Sequence, residues 1–565
     1  MDVDASLELL GGFGLLQTLN FLAYSLCGGS SSWHLTGVAF TASAPRDYWC
    51  RLPPNGTGLD DAEGYISEQC HLIYEAEGGS NDTVPCLYGW EYDSMYGETS
   101  VVTDLDLVCD RAILAGTLTS IHFGGVLAGS YILGQLSDIL GRRLVVLGSL
   151  VGLVATGTGL SFTWSFAGMA GLRFLNGFFI PGSLTVTYVR LIEMFTPGRR
   201  LKGQLVCEMM WVCGISLLAP AAYLLPNWRH LQLAISLFGI PVIFFVWLSY
   251  DSIRWLVQKG RIEKAEKFLQ RIAKSKNINL SGNFLLAQQD PDVQNGNKPL
   301  SENAIELETT TTVEKTRIGG FQHGRDGGST LHDKHLGHRD FRGKKATVVD
   351  LFKTPVLIKR SLIVSYCWFT SNVVYYGFFI NATNLVGNKY LNFFLISVTE
   401  APSYILNYFI MKRFGRRRPI IFVYALSGVT CVITGAIPKE TASGIDLTVV
   451  ILVFAIIGKL FASAAFDIVF LITAEVFPTV LRSAAFGAAS MIGKVGGMVA
   501  PFIIFLNVYH DSIPMIVFGV LSLIAGALVL PLPETNNRSL PETLEDGAKL
   551  ACKANPEDEQ SPTHA

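Results

Sequence analysis

Apolar residues gather along this chain into runs of about 20, the length at which a helix rising 1.5 Å per residue crosses about 30 Å of hydrocarbon. Six such runs fall in the first half, over Leu15–Ser32, Ala112–Leu133, Leu144–Phe162, Met169–Tyr188, Leu205–Leu224 and Leu231–Leu248. Six more fall in the second, over Ser361–Ile380, Leu391–Ile410, Ile420–Ile437, Leu447–Ile472, Ala484–Phe505 and Ile513–Leu530. The pattern predicts twelve membrane-spanning helices joined by polar segments, an all-α polytopic protein.

Composition agrees. Of 565 residues 16% are charged and 50% hydrophobic, where an ordinary globular protein carries about 25% charged residues. The net charge of −2, from 44 Lys+Arg against 46 Asp+Glu, argues against a nucleic-acid partner, which selects for a basic face. The principal environment is therefore the lipid bilayer.

Short cytoplasmic loops retain Lys and Arg, and the connections after spans 2, 4, 8 and 10 carry Arg142/Arg143, Arg199/Arg200, Arg416/Arg417/Arg418 and Arg482. These are read as inside. The segment from Ala42 to Asp110 instead holds fourteen Asp+Glu and two Arg, four cysteines (Cys50, Cys70, Cys86, Cys109), and glycosylation triplets beginning at Asn55 and Asn81. It reads as an oxidised, glycosylated outer loop, with three disulfide pairings open. Both termini are then cytosolic, and the acidic start is no removable signal peptide. The chain divides into residues 1–41 (N-terminus and span 1), 42–111 (outer loop), 112–249 (spans 2–6), 250–359 (inner loop), 360–532 (spans 7–12) and 533–565 (cytosolic tail). Within the inner loop, Arg261–Lys276 has the spacing of an amphipathic helix on the cytoplasmic face. The insert 281–345 has a disordered composition, and its clustered His323, His332, His335 and His338 lack the spacing of a metal site.

The two halves repeat each other. The turn after span 2 carries Asp138, Gly141, Arg142 and Arg143, and the turn after span 8 carries Gly415, Arg416, Arg417 and Arg418. Downstream, Glu193 precedes Arg200 by seven residues and Glu475 precedes Arg482 by seven. Two parallel six-helix bundles around a midplane site are the architecture of an alternating-access carrier. Asp138, Arg142, Arg143, Glu193, Arg200, Arg416, Arg417, Glu475 and Arg482 are expected to form a cytoplasmic ion-pair gate, made when the cavity opens outward and broken when it opens inward.

Gly134, Asp138, Gly141, Arg142 and Arg143 resemble the signature turn of the major facilitator superfamily. Trp228–Leu233, Val374–Gly377, Glu400-Ala401-Pro402, Ala474–Arg482 and Leu532–Thr535 are similar to stretches of solute carrier family 22, the organic cation, anion and carnitine transporters, and among its branches to member 15. The resemblance implies the major facilitator fold, plasma-membrane transport of small organic ions, and coupling to sodium or protons as an open option. One stretch departs: the family's Pro-Glu-Ser-Pro-Arg-Trp-Leu after span 6 is here Tyr250-Asp251-Ser252-Ile253-Arg254-Trp255-Leu256, which is expected to loosen the gate.

Ionisable side chains inside a span are expensive and mark function by default. Lys494 in span 11 sits over small residues and is expected to face the cavity; the family resemblance links a cation at this position to anionic and zwitterionic substrates. Asp467 in span 10 either pairs with Lys459, eight residues back on its own face, or meets a cationic substrate group. Glu400 in span 8 is a candidate cation contact or proton acceptor. Aromatic faces hold ammonium groups, and Trp211, Tyr375, Tyr376, Phe393, Phe466 and Phe470 are candidates. No nucleotide loop, nucleophile elbow or metal motif appears, so neither catalysis nor a cofactor is expected. The predicted function is transport of small organic ions, with zwitterions or anions favoured over cations, against the rivals of a channel and of a non-transporting receptor.

Overall fold

The computed structural model describes residues 14–45, 47–52, 65–75, 81–94, 97–195, 200–276, 279–280, 305–306, 354–383, 385, 387–441 and 445–536. Asn55, the histidines 323–338, most of the insert 281–345 and the tail from 537 lie outside them, as does the Arg200 side chain.

Helices occupy all twelve apolar runs: α1 Leu15–Thr36, α2 Ile113–Leu140, α3 Arg142–Ser161, α4 Phe166–Ile192, α5 Arg200–Leu224, α6 Trp228–Leu248, α7 Pro355–Asn381, α8 Lys389–Phe414, α9 Arg417–Ala436, α10 Thr448–Val476, α11 Thr479–Phe505 and α12 Ile513–Val529. Eight of them are, by length and composition, long and apolar enough to cross a membrane, and α12 is apolar but shorter. The others, α1, α4 and α7, carry polar groups that the fold turns inward: Asn20 and His34 in α1, Arg173 and Asn176 in α4, and Asn372 in α7 are all buried. Two of the helices are jointed, α6 at Phe238 and α8 at Thr399. Each joint sits just ahead of a proline, Pro241 and Pro402, which lacks an N–H and crowds the carbonyl four residues back.

Close packing within each half depends on small residues. A Cβ on Gly125 of α2 would strike the Phe174 carbonyl of α4, so the two backbones meet where a side chain is missing. Gly125→Ala is expected to destabilise the protein by about 1–3 kcal/mol, the range for overpacking. Thermal unfolding of the purified protein reads this, with Gly148→Ala as control because nothing lies within 4 Å of its added methyl. Equal melting temperatures for the two variants would refute the close-packing account.

The segment between α1 and α2 holds small antiparallel sheets: β1 Asp47–Cys50 pairs with β5 Trp90–Asp93, and β2 Tyr65–Ser67, β3 His71–Glu75 and β4 Asn81–Pro85 form a second sheet. Of the three possible pairings the structure has Cys50–Cys86 and Cys70–Cys109. The segment is anchored to the first half, where Asp104 accepts from Trp228 Nε1 at 2.9 Å and pairs with Arg229 at 3.1 Å. Tyr92 donates to Asp106 at 2.7 Å; burial first, and then this bond, push its phenol pKa up.

At the end of the bundle bearing this segment the halves meet. Ser120 of α2 donates to the Met498 carbonyl of α11 at 2.6 Å, and Lys389 at the start of α8 pairs with Glu98 at 2.7 Å. Tyr390 stacks on Phe40 at 5.5 Å and meets Tyr223 edge-on at 5.4 Å. At the other end, where the Arg-rich turns lie, the halves leave a cavity between them.

The amphipathic helix forms over Ile262–Lys274. Its buried Ala265, Leu269, Ile272 and Ala273 pack against Tyr250, Ile253, Trp255 and Leu256, so protein covers its apolar face.

Candidate functional site: a cavity of mixed charge between the halves

The cavity has a volume of about 210 Å³ and takes walls from α1, α4 and α5 of the first half and α7, α8, α10 and α11 of the second. Seven of the sequence-predicted residues line it: Trp211, Tyr375, Tyr376, Phe466, Asp467, Phe470 and Lys494. The aromatic wall is continuous. Tyr375 stacks on Phe466 with centroids 4.9 Å apart, Phe466 meets Phe470 at 5.4 Å, and Trp211 Nε1 donates to the Tyr375 hydroxyl at 3.2 Å across the interface between the halves.

The structure moves two candidates out of the site. Glu400 is fully buried and pairs with the equally buried Lys459 at 2.9 Å; it does not line the cavity. Lys459 Nζ also sits over the rings of Tyr375, at 3.5 Å, and Phe379, at 4.0 Å. The expected alternative, Lys459 with Asp467, fails on helix geometry, because eight residues of helix rise about 12 Å. Glu400 thus has an internal partner and acts as a prop behind the cavity wall. Phe393 is likewise buried behind it, packed on Phe40 at 4.8 Å and Phe379 at 5.5 Å at the closed end.

Among the described residues, three charges face the cavity. Lys494 has no carboxylate within 4.0 Å among the described residues. Asp467 accepts from Asn407 Nδ2 at 3.0 Å. Glu208 of α5, absent from the sequence-based candidates, lines the same cavity with the Tyr404 hydroxyl as its hydrogen-bond donor. Its signal in the sequence was weak: it lies only three residues inside the fifth apolar run, where a carboxylate reads as interfacial. His122 and Arg173 belong to the interior of the first half, where the His122 ring nitrogen lies 3.1 Å from the Arg173 carbonyl and Arg173 donates to Thr41 at 2.9 Å.

At the Arg-rich end the repeat recurs atom by atom. Arg142 pairs with Asp138 at 2.9 Å and Glu193 at 3.3 Å; Arg416 pairs with Glu475 at 3.3 Å. Arg143 donates to the Trp247 carbonyl and Arg417 to the Leu530 carbonyl. Gly141 and Gly415 turn the chain with φ of +109° and +84°, the region glycine enters without steric cost. Asp251 then accepts from the Arg143 N–H at 3.3 Å, as Glu534 accepts from Arg416 and Arg417. The expected loosening after span 6 is not what the structure has: Asp251 does for the first half what Glu534 does for the second. Arg254 and Trp255 bind the carbonyls of Glu193 and Asp138 at 2.9 and 3.1 Å. All these ion pairs lie within one half. Arg482 shares in none, its Nε and one Nη lacking a partner among the described residues.

With the geometry in hand, comparison with known proteins is specific. The Major Facilitator Superfamily profile matches residues 110–397, and a second, Sugar (and other) transporter, matches 333–546. An "Organic cation transporter-like protein" of Drosophila melanogaster is 32% identical over 98% of this chain and 94% of its own. "Solute carrier family 22 member 3" of Rattus norvegicus is 30% identical over 97% and 96%. A "Beta-alanine transporter" of Drosophila melanogaster is 28% identical over 97% and 89%. Among solved structures, the partially occluded inward open xylose transporter XylE from E. coli superposes with a TM-score of 0.60 at 13% identity, covering 93% of this chain and all of its own. Its fold is thus that of a two-bundle membrane transporter and not of an enzyme, and the chain belongs to solute carrier family 22 of the major facilitator superfamily.

Proposed function

We propose that this protein carries small zwitterions, bearing a carboxylate at one end and an ammonium at the other, across the plasma membrane by alternating access. One observation carries the reading: one cavity between the halves holds an ammonium, Lys494, without a carboxylate partner among the described residues, and two carboxylates, Asp467 and Glu208, without a cationic partner among them. Opposite charges held apart in one low-dielectric site ask for a ligand that carries both. Lys494 takes the substrate carboxylate. Asp467 and the rings of Trp211, Tyr376, Phe466 and Phe470 take the ammonium, a ring face contributing about 0.5–2 kcal/mol. The name of the β-alanine relative fits, since β-alanine is such a zwitterion.

Alternation follows from the two ends. The contacts of Lys389 and Tyr390 with the first half close the disulfide-bearing end, which we assign to the outside, with glycosylation at Asn55 and Asn81. The Arg-rich turns face the cytosol with both termini, and their ion pairs, here confined within halves, rearrange between the halves when that end shuts. The member-15 branch and coupling to sodium or protons belong to the same proposal.

A second reading, an organic cation carrier, draws on the two carboxylates against one lysine and on the names of relatives. Uptake separates the two in cells expressing the protein, using a labelled quaternary amine, a dicarboxylate and a carnitine-like zwitterion, with external sodium and pH varied. Saturable uptake of the zwitterion above both others is expected. Uptake of the amine alone would move the assignment to cations, and binding without uptake would make the protein a receptor.

A further inference from the structure

Asp467 was a candidate from the sequence; its counterpart across the cavity was not. Glu208 comes from α5 of the first half and Asp467 from α10 of the second, and both line the one cavity. A third buried carboxylate, Glu400, does not line the cavity. Glu400 is already neutralised by Lys459, whereas Asp467 has only a neutral donor, Asn407. Two like charges lining one cavity from separate bundles repel, and each resists leaving water.

A second observation points to what they hold. The Asn407 side chain, 1% exposed, gives its amide nitrogen to Asp467 and to the Ala464 carbonyl, both at 3.0 Å, which leaves its Oδ1 beside the same carboxylate with no partner among the described residues. Ser463, one turn before Asp467 on α10 and also 1% exposed, has a hydroxyl oxygen without a partner among the described residues. Buried oxygen acceptors are nearly always satisfied. Carboxylates and amide oxygens are the ligands that hard cations take.

We propose that Glu208 and Asp467 share one monovalent cation across the interface between the halves, with Asn407 Oδ1 from α8 and Ser463 Oγ from α10 completing its oxygen environment. The cation is either the ammonium of a substrate or inorganic sodium, since both present a single positive charge to oxygen. Glu208 is thereby a specificity-determining residue supplied by the opposite bundle. A cation there ties the two halves together where they would otherwise repel. The inference rests on the carrier reading of this cavity and adds to it which groups hold the positive end.

The test uses purified full-length protein. Its thermal unfolding is followed while sodium chloride and, separately, tetramethylammonium chloride are titrated, with ionic strength balanced by N-methylglucamine chloride. At least one of the two salts is expected to raise the melting temperature saturably, and which one does so identifies the source of the cation. Glu208→Gln and Asp467→Asn are each expected to raise the half-saturating concentration at least tenfold. The double variant should be no weaker than the weaker single one, because one ion is shared. Glu208→Asp, which keeps the charge and serves if a neutral variant does not fold, is expected to shift the titration by less than fivefold. Wild-type protein that responds to neither salt would overturn the site, as would Glu208→Gln titrating like wild type or losses that add independently in the double variant. Gly148→Ala, which lies outside the cavity and has open space for its methyl, should leave the cation titration unchanged. If the protein proves not to select zwitterions while this titration survives, the zwitterion reading fails and the cation site stands; the converse result sinks the site alone.

Discussion

Lys494→Asp is expected to reverse the charge preference of the carrier. An ammonium bonded to a substrate carboxylate contributes about 1.5–3 kcal/mol, and each 1.4 kcal/mol is tenfold in affinity, so zwitterion uptake at low concentration should fall by about 10- to 150-fold. Repulsion from the new carboxylate adds to that loss. Uptake of a quaternary amine should rise, because the cavity then holds three carboxylates, Asp467, Glu208 and the introduced one, and no free ammonium. Uptake normalised to surface protein measures both changes. A variant that reaches the surface with an unaltered substrate order would show Lys494 to be structural and move selectivity to Asp467 and Glu208.

The largest effect on stability belongs to the pair behind the cavity wall. Lys459 and Glu400 are each 0% exposed, so Lys459→Met leaves a buried carboxylate without its counterion, a loss of about 3–5 kcal/mol. The Tyr375 ring, which the ammonium faces at 3.5 Å, loses its support as well. Little folded protein is expected at the surface. Lys459→Met combined with Glu400→Gln should recover much of the loss, because removing both charges removes the desolvation penalty along with the attraction. Fluorescence-detected size exclusion and thermal unfolding of the two variants make the comparison. A single variant as stable as wild type would refute the account, and a double variant no better than the single would assign the loss to packing around Tyr375 instead.

Most of the fold was legible because hydrocarbon imposes a simple rule, that a helix must satisfy its own backbone and present about 20 apolar side chains. The run at Leu144–Phe162 passes the end of α3 by one residue and the run at Ala484–Phe505 falls within α11, and they start two and five residues later than their helices. Those first residues include Arg142 and Arg143 in α3 and Arg482 in α11, charges that a hydropathy reading excludes and the helix does not. The repeated turns were legible for the same kind of reason: Gly141 and Gly415 are dictated by local φ, and Arg142 and Arg416 find acids in their own half.

The cavity was legible only in part. Lys494, Asp467 and the ring faces of Tyr376, Phe466 and Phe470 were identified because an ionisable or aromatic residue deep in an apolar run stands out against its neighbours. Glu208 did not stand out, since it lies near the end of its run where acids are common. Glu400 stood out and was misplaced, because its partner Lys459 sits 59 residues away, and periodicity within one helix says nothing about a residue on another. The substitution Tyr250-Asp251 looked like a loss when compared with the family pattern, yet Asp251 meets the Arg143 N–H, a contact visible only once α3 and the segment after α6 lie side by side.

What the sequence determined by itself was therefore everything set by the bilayer and by local backbone geometry: the twelve helices, the internal repeat, the oxidised loop as a class and the presence of charge in the interior. Which charges face each other, which disulfides form and where the cavity lies were decided by tertiary structure alone. Helix periodicity gives each side chain a direction about its own axis, but pairing depends on the rotation and offset of neighbouring helices, and those are set by packing contacts such as that of Gly125 with the Phe174 carbonyl.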